Sequence, residues 1–342
     1  MRQHTTAEAI GVGIVGAGSI GTTHARALHH VAGTTLVTYS GGNPETMSDC
    51  GWPSARQCSA DEVIDHPEVD VVAICTPSQT HASLTLAATA AGKHAVVEKP
   101  LATTAADADR IVAAARKHDV LVAMVAQRRF EPEVAAVKQL LDSGELGGIR
   151  LAVTQVHWSR DDDYYQAAPW RTTMPAGGSL MNQGVHNVDL LRWLCGPVDA
   201  VTAQQATLGH DMAAEDTTVA TLRLASGGLG LISTSTATPP GSAATLTLHT
   251  SRGTVELGQG EILRWEIPGV PRPASSASVT SGSADPAAIG IAGHVTMWQE
   301  VMAALREGRP CAIDAPEAAR TVHLLDAIYQ AAETGTQVEV SS

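Results

Sequence analysis

The chain lacks several things whose absence narrows its function. None of its 342 residues form an apolar run long enough to span a bilayer. The stretch Met1 to Ile10 is polar and lacks the apolar core of a secretory signal. Lysine and arginine number 22 against 35 acids, a formal net charge of −13. That deficit of positive charge argues against nucleic acid and anionic membrane surfaces as partners. The five cysteines (Cys50, Cys58, Cys75, Cys195, Cys311) are odd in number and form no Cys-x-x-Cys pair. Reduced thiols in a cytoplasmic setting follow, with no zinc cluster. The 14 histidines include no His-Glu-x-x-His or other closely spaced ligand set, so no metal is expected. Internal repeats are absent as well. What remains is a soluble globular chain, 44% hydrophobic and of a length that suits two domains.

Ile10 to Val15 reads as a buried strand. Gly16-Ala17-Gly18-Ser19-Ile20-Gly21 follows at once and runs into a helix, Thr22 to Val31, with a second strand over Thr35 to Tyr39. Gly-x-Gly-x-x-Gly between strand and helix is a dinucleotide fingerprint. The first glycine permits the tight turn. The second lets the backbone approach a pyrophosphate on the positive helix N-terminus, and the third lets helix and strand pack closely. Gly16, Gly18, Ser19, Ile20 and Gly21 are therefore candidate cofactor residues. The second strand ends Tyr39-Ser40-Gly41-Gly42-Asn43, with no acid for the ribose 2′-hydroxyl of NAD and no arginine for the 2′-phosphate of NADP. Ser40 and Asn43 offer hydrogen bonds there and no carboxylate repels a phosphate. The cofactor is NADP or NAD, the balance tipping to NADP, unless Gly41-Gly42-Asn43-Pro44 is simply a turn.

The alternation continues with strands at Val69 to Ile74, His94 to Val97 and Val120 to Ala126. Helices fall at Ser78 to Ala91 and Thr104 to His118. The pattern predicts a doubly wound parallel sheet. Ligands bind at the C-terminal edge of such a sheet, where Thr76-Pro77 and Glu98-Lys99-Pro100 both lie. Lys99 leaves an apolar strand just before a proline, so its direction is constrained. Its ammonium suits a substrate hydroxyl and the alkoxide charge that develops there. A surface lysine paired with Glu98 is the equally weighted alternative.

After about Gln127 the alternation stops. Pro132 to Leu141 reads as a helix and Ile149 to Trp158 as a strand. Arg160 to Pro175 reads as a loop rich in Asp, Tyr and Trp. Trp170 and Arg171 are candidate substrate contacts, an aromatic face for sugar C–H groups and a guanidinium for hydroxyls; plain packing and pairing with an acid explain them equally well. Strands follow at Val198 to Ala206, Thr217 to Leu224, Leu229 to Thr236, Ala244 to His249, Thr254 to Leu257 and Glu261 to Trp265. Their hairpin turns imply a mostly antiparallel sheet. Pro271 to Pro286 reads as a surface loop. Ala292 to Arg306 and Pro316 to Glu333 are helical, and Gln337 to Val340 adds a last strand.

The chain is organised around Gly177-Gly178, a turn that opens an apolar helix reaching Leu194, where Cys195-Gly196-Pro197 stops it. At about 100° per residue, Asn182, His186 and Asp189 fall within roughly 60° of one another. Such a polar stripe is either solvated or faces a site.

Taken in order, these motifs resemble the Gfo/Idh/MocA oxidoreductases, which include glucose–fructose oxidoreductase and inositol dehydrogenase. The likeness rests on the glycine fingerprint with His24, Thr76-Pro77 with His81, and Glu98-Lys99-Pro100. It continues through Trp170-Arg171, Gly177-Gly178, Asn182-Gln183-Gly184-Val185-His186 with Asp189, and Glu307-Gly308-Arg309-Pro310. The resemblance implies that Lys99 and His186 are catalytic and that His81 and Glu98 serve the cofactor site. Position 182 is often Asp in the family and is Asn here, so it orients substrate without charge. Ala176 stands where the family usually has a third glycine.

The combined expectation is an α/β protein. A Rossmann domain, residues 1–127, precedes an α+β domain, residues 128–342, with a mostly antiparallel open sheet for substrate binding and oligomerisation. The expected reaction is hydride transfer between a secondary alcohol of a sugar, cyclitol or related polyol and the nicotinamide. His186 is the general acid/base, Lys99 the oxygen-binding cation, and Asn182 the holder of a neighbouring hydroxyl. Asp189 orients His186 or serves structure. A homodimer or homotetramer is expected, since one face of the second sheet has no helices to cover it. Two other classes stay open: a glycoside-cleaving enzyme that keeps its NAD, and a non-catalytic ligand sensor.

Overall fold

The computed structural model describes residues 9–274 and 290–341. The stretch 1–8 and most of the expected Pro271 to Pro286 loop, from 275 on, lie outside the described residues. The chain divides into two compact units, Met1–Gln127 with Ile291–Val322, and Arg128–Gly290 with His323–Ser342.

The first unit contains β1 (Ile10–Val15), α1 (Ser19–His29), β2 (Thr34–Ser40), α2 (Pro44–Asp49), β3 (Arg56–Gln57) and α3 (Ala60–Asp65). It continues with β4 (Val71–Ile74), α4 (His81–Ala90), β5 (His94–Val97), α5 (Ala105–His118) and β6 (Val122–Met124). The six strands pair in parallel in the order β3-β2-β1-β4-β5-β6. β1, β4 and β6 are buried throughout, as strands covered on both faces must be. The segment α2-β3-α3 is not among the sequence expectations, although its signals are local. Asn43 accepts from the Glu45 amide at 2.8 Å, with Pro44 opening α2. Ser59 and Glu62 form a capping box at α3. Asn43 thus spends its side-chain oxygen on a helix cap.

In the second unit α6 (Pro132–Asp142), β7 (Ile149–His157), α7 (Asp162–Gln166) and α8 (Val185–Cys195) precede a run of strands. These are β8 (Val198–Ala206), β9 (Thr217–Leu224), β10 (Leu229–Ser235), β11 (Thr245–Thr250), β12 (Thr254–Leu257) and β13 (Ile262–Glu266). After α9 (Ala292–Glu307) and α10 (Ala315–Thr334), β14 (Val338–Glu339) completes an eight-stranded sheet in the order β13-β12-β11-β7-β10-β9-β8-β14. All its pairs are antiparallel except β7 with β10. Strict alternation of burial along β9 and β11 shows one face of the sheet covered. α8 packs on β7 within one apolar core, which includes Ala152, Ile232 and Leu248 of the sheet and the α10 residues Leu324 and Ile328.

The first unit's leading segment ends at Gln127. However, α9 and the start of α10, placed by the sequence in the second domain, belong to the first unit. α9 packs on α1, and Trp298 of α9 is fully buried beside His24. That return is a long-range event which no local pattern announces.

Candidate active site

In the first unit, Gly18 is the N-cap of α1, with no side-chain cap and no acid in the helix's first turn. Its leading N–H groups therefore lack intrahelical partners, the ordinary condition for holding an anion. Gly16 and Ala17 donate instead to the Ser40 carbonyl at 3.2 and 2.8 Å, and Gly16 N–H also reaches Ser40 Oγ at 3.3 Å. Ser40 thus braces the glycine loop from the end of β2. A Cβ built on Gly18 meets nothing within 4 Å. The residues present therefore suit a dinucleotide phosphate, with open space at the one glycine whose job is to admit it.

The loops after β4 and β5 are tied together. His81, buried at the start of α4, sets Nδ1 2.7 Å from the Pro100 carbonyl and Nε2 2.9 Å from the Thr76 carbonyl. Burial holds its pKa below the ordinary histidine value, and a neutral ring has one N–H for the two acceptors. His81 therefore shapes the ligand edge through the backbone of Thr76 and Pro100. Glu98 is buried too. Its Oε2 accepts the Lys99 amide at 3.1 Å and its Oε1 lies 3.0 Å from His24 Nε2. Burial disfavours a charge on Glu98, but His24, His294 and Lys99 outweigh it and hold the carboxyl down at about 2. The glutamate thus anchors the backbone from which Lys99 projects.

His24, Glu98 and His294 bring three ligand atoms within 4.8 Å of one another, the one such trio among the described residues. Their chemistry does not suit a metal ion. Trp298 Nε1 can only donate, and it lies 2.9 Å from His24 Nδ1. Nδ1 is therefore unprotonated and Nε2 carries the proton that Glu98 accepts. Burial works against a second proton, while Cys75 and Glu98 favour one and push the ring up to about 10; the Trp298 donor opposes that push, and the neutral ring satisfies every contact. A metal on Nε2 would need the proton on Nδ1, where it would face another donor. His294, with both ring nitrogens buried and without a hydrogen-bond partner, is held down to about 4 by burial and by His24.

In the second unit the glycine turn is built around an acid that the sequence pattern does not single out. Glu215, just ahead of β9, accepts from Ser179 N (3.1 Å), Ser179 Oγ (2.6 Å), Leu180 N (2.9 Å) and the Tyr329 hydroxyl (2.9 Å). Burial raises its pKa and these donors oppose the rise. Gly178 has φ +89°, and a Cβ there would sit 2.4 Å from Glu215 Oε1, so only glycine admits the carboxylate. Ser179–Gly184 is a π-helical turn, and α8 proper starts at Val185. The regular 100° spacing expected for Asn182, His186 and Asp189 therefore does not hold at Asn182, and such turns are frequent at functional sites.

Asn182 and His186 are both half-buried, whereas Asp189 is buried with its carboxylate clasped by Arg129, Oδ2 to Nε at 2.7 Å and Oδ1 to Nη2 at 2.5 Å. The polar stripe thus divides: Asp189 anchors the helix, its structural alternative. Asn187, one residue past the histidine, is tied to Arg128 and Thr154 at 2.7 and 2.8 Å. These ion pairs and hydrogen bonds fix the rotation of α8. The expected loop at 160–175 contains α7 and a 3₁₀ turn at Pro169–Thr172. Arg171 donates to the Tyr164 carbonyl at 2.6 Å and stacks 4.0 Å from the Tyr164 ring centroid, with the Trp170 ring centroid at 5.8 Å. The loop's polar centre is thus Tyr164, which is not among the site residues expected from sequence. Its signal was only its place in the one aromatic-rich loop beside the glycine turn.

Comparison with known proteins agrees with this architecture. Residues 10–126 match the oxidoreductase family with NAD-binding Rossmann fold, and residues 134–256 match the GFO/IDH/MocA C-terminal domain. Myo-inositol 2-dehydrogenase of Thermotoga maritima is 30% identical over 234 residues, 66% of this chain and 68% of that protein. Inositol 2-dehydrogenase of Rhizobium meliloti is 31% identical over 255 residues, 71% of this chain and 74% of that one. The structure of the WlbA dehydrogenase from Bordetella pertussis, in complex with NADH and UDP-GlcNAcA, superposes with a TM-score of 0.88 at 31% identity. That match covers 99% of this chain and 100% of the other. With both halves matched in order, and the fingerprint loop and glycine-turn helix built as described, the chain belongs to the GFO/IDH/MocA oxidoreductases and carries their NAD-binding Rossmann fold.

Proposed function

We propose that the protein transfers a hydride between a secondary alcohol of a sugar, cyclitol or related polyol and NAD(P). The observation that carries this reading is the half-buried pair of Asn182, in the π-helical turn, and His186, at the head of α8, in a chain whose Lys99 backbone is pinned at the ligand edge of the Rossmann sheet. The relatives named for inositol and the WlbA complex with a nucleotide sugar support the substrate class. When bound, the nicotinamide supplies the hydride acceptor or donor. The protein's own residues do the rest. His186 takes the hydroxyl proton in oxidation and returns it in reduction. Lys99 donates to the same oxygen and stabilises its negative charge. Asn182 holds a neighbouring hydroxyl. The fingerprint residues, Ser40 and Thr76-Pro77 shape the cofactor site, with His81 and Glu98 bracing it from behind.

The test is a panel of free sugars, cyclitols and a UDP-sugar acid, run with NAD and with NADP and read at the nicotinamide absorbance band. Net reduction of the cofactor by at least one polyol is expected. Tightly retained cofactor with cleavage of a glycoside and no net reduction would favour the glycoside-cleaving class, and cofactor binding without any turnover a sensor. NADP is expected to serve at least as well as NAD. Ser40→Asp, which sets a carboxylate at the end of β2, should raise the KM for NADP and spare turnover; identical kinetics with both cofactors before and after would remove Ser40 from this role.

We also infer a homodimer or homotetramer. Register and strand alternation set Leu151, Val219 and Leu229 on one face of the second sheet, and all three are exposed. Water contact at these three apolar side chains is unfavourable, and a second copy is one solution. Light scattering at micromolar concentration should give a multiple of the chain mass; a monomer mass rejects the inference.

A further inference from the structure

The phenol of Tyr164 is the feature of the second unit that the reading above leaves without a task. Tyr164 lies on α7, which Asp161 caps by accepting the Tyr164 amide at 2.9 Å. Its hydroxyl oxygen receives two N–H groups, from Asn182 Nδ2 at 3.2 Å and from Gln183 Nε2 at 3.1 Å. A phenol has one proton to give and two lone pairs to accept with. Two donors occupy the lone pairs, so the remaining O–H is directed at a third partner. Accepting two hydrogen bonds also polarises that O–H and strengthens it as a donor. The ring itself is held: the Arg171 guanidinium lies 4.0 Å and that of Arg160 5.1 Å from its centroid. Tyr164 is half-buried, like Asn182 and His186.

We propose that Tyr164 is a substrate-binding, specificity-determining residue, whose O–H donates to a polyol oxygen other than the one that is oxidised. The inference rests on the dehydrogenase reading above. Asn182 then has two tasks, orienting the phenol and facing substrate. The class of substrate is narrowed to one with at least two hydroxyls near each other, since a lone alcohol leaves the phenol without its acceptor. Turning over either amide gives a competing arrangement, and the Asn182 oxygen can take the phenol proton as well as that of Gln183. With the Gln183 amide turned over, its oxygen, now buried without a partner, takes the phenol proton, and Tyr164 is only a brace.

The experiment compares wild type with Tyr164→Phe on the polyol that the panel shows to be oxidised fastest, and on the set of its monodeoxy analogues. Thermal melting and NADH affinity of the variant are checked first and should be close to wild type. Tyr164→Phe should raise KM about 3- to 10-fold, the effect of one neutral hydrogen bond, with kcat within about twofold. For one deoxy analogue the wild type should show the same rise, and the variant no further rise, because both changes remove one hydrogen bond. A brace predicts instead that the losses multiply for every analogue, or that kcat falls with KM unchanged; either outcome overturns the proposal. If wild type oxidises no polyol, the dehydrogenase reading fails first and this inference with it. If wild type turns over and Tyr164→Phe is indistinguishable from it, this inference alone falls.

Discussion

Replacing His186 by alanine should lower turnover about 10²- to 10⁴-fold, the usual range for a lost general acid–base, while cofactor affinity hardly moves. His186 lies at the start of α8 in the second unit, and no element of the Rossmann sheet contains it. On the proposed mechanism its loss removes proton transfer and leaves the fingerprint loop intact. Lys99→Ala should lower turnover as well, through the charge on the same oxygen. The informative variant is the double one. If base and cation serve a single hydroxyl, removing either disables the unit, and the double mutant is far less damaged than the product of the single losses. The rate–pH profile should lose its lower limb in His186→Ala. Steady-state kinetics of the four proteins decide the matter: independent multiplication of the losses, or near-normal turnover in His186→Ala, returns the histidine to a structural role.

Gly18→Arg should abolish dinucleotide binding and leave the fold standing. A Cβ on Gly18 meets no protein atom within 4 Å, so the arginine grows into open space, and substitutions of that kind shift stability by about 0.5 kcal/mol or less. Only a bound pyrophosphate needs that space. The other two glycines of the fingerprint behave differently. Gly16 has φ +94° and a Cβ there would lie 2.8 Å from the Cys75 backbone, while on Gly21 it would lie 2.4 Å from the Gly16 carbonyl. Alanine at either is expected to lower the melting temperature. Titration calorimetry should show NAD(P)H affinity reduced by about 100-fold or more in Gly18→Arg, about 2.7 kcal/mol, with unchanged melting. Unaltered affinity in the folded variant would take the cofactor away from this loop.

Much of this was legible in the chain. The strand, fingerprint and helix of the cofactor loop are contiguous, and contiguous patterns of burial and turn chemistry can be read directly. The same holds for Lys99 at a strand end, for β8 to β13 with their turns, and for the stop after Cys195. Even the missed segment α2-β3-α3 had its caps in plain view at Asn43 and Ser59.

What the sequence determined by itself is the order of elements, the dinucleotide loop, and the residue types available for proton transfer and oxygen binding. These depend on neighbours within a turn or two along the chain. Only the tertiary structure decided which of them are spent on the fold. Asp189 goes to Arg129, 60 residues away, and Glu215 reaches back 36 residues to Ser179 to set the glycine turn. His24 takes its tautomer from Trp298, 274 residues on. Tyr164 acquires its partners at Asn182 and Gln183 across the loop. A buried polar group must find a partner wherever the packing allows one, and that choice is made between segments remote in sequence. Local periodicity carries no record of it.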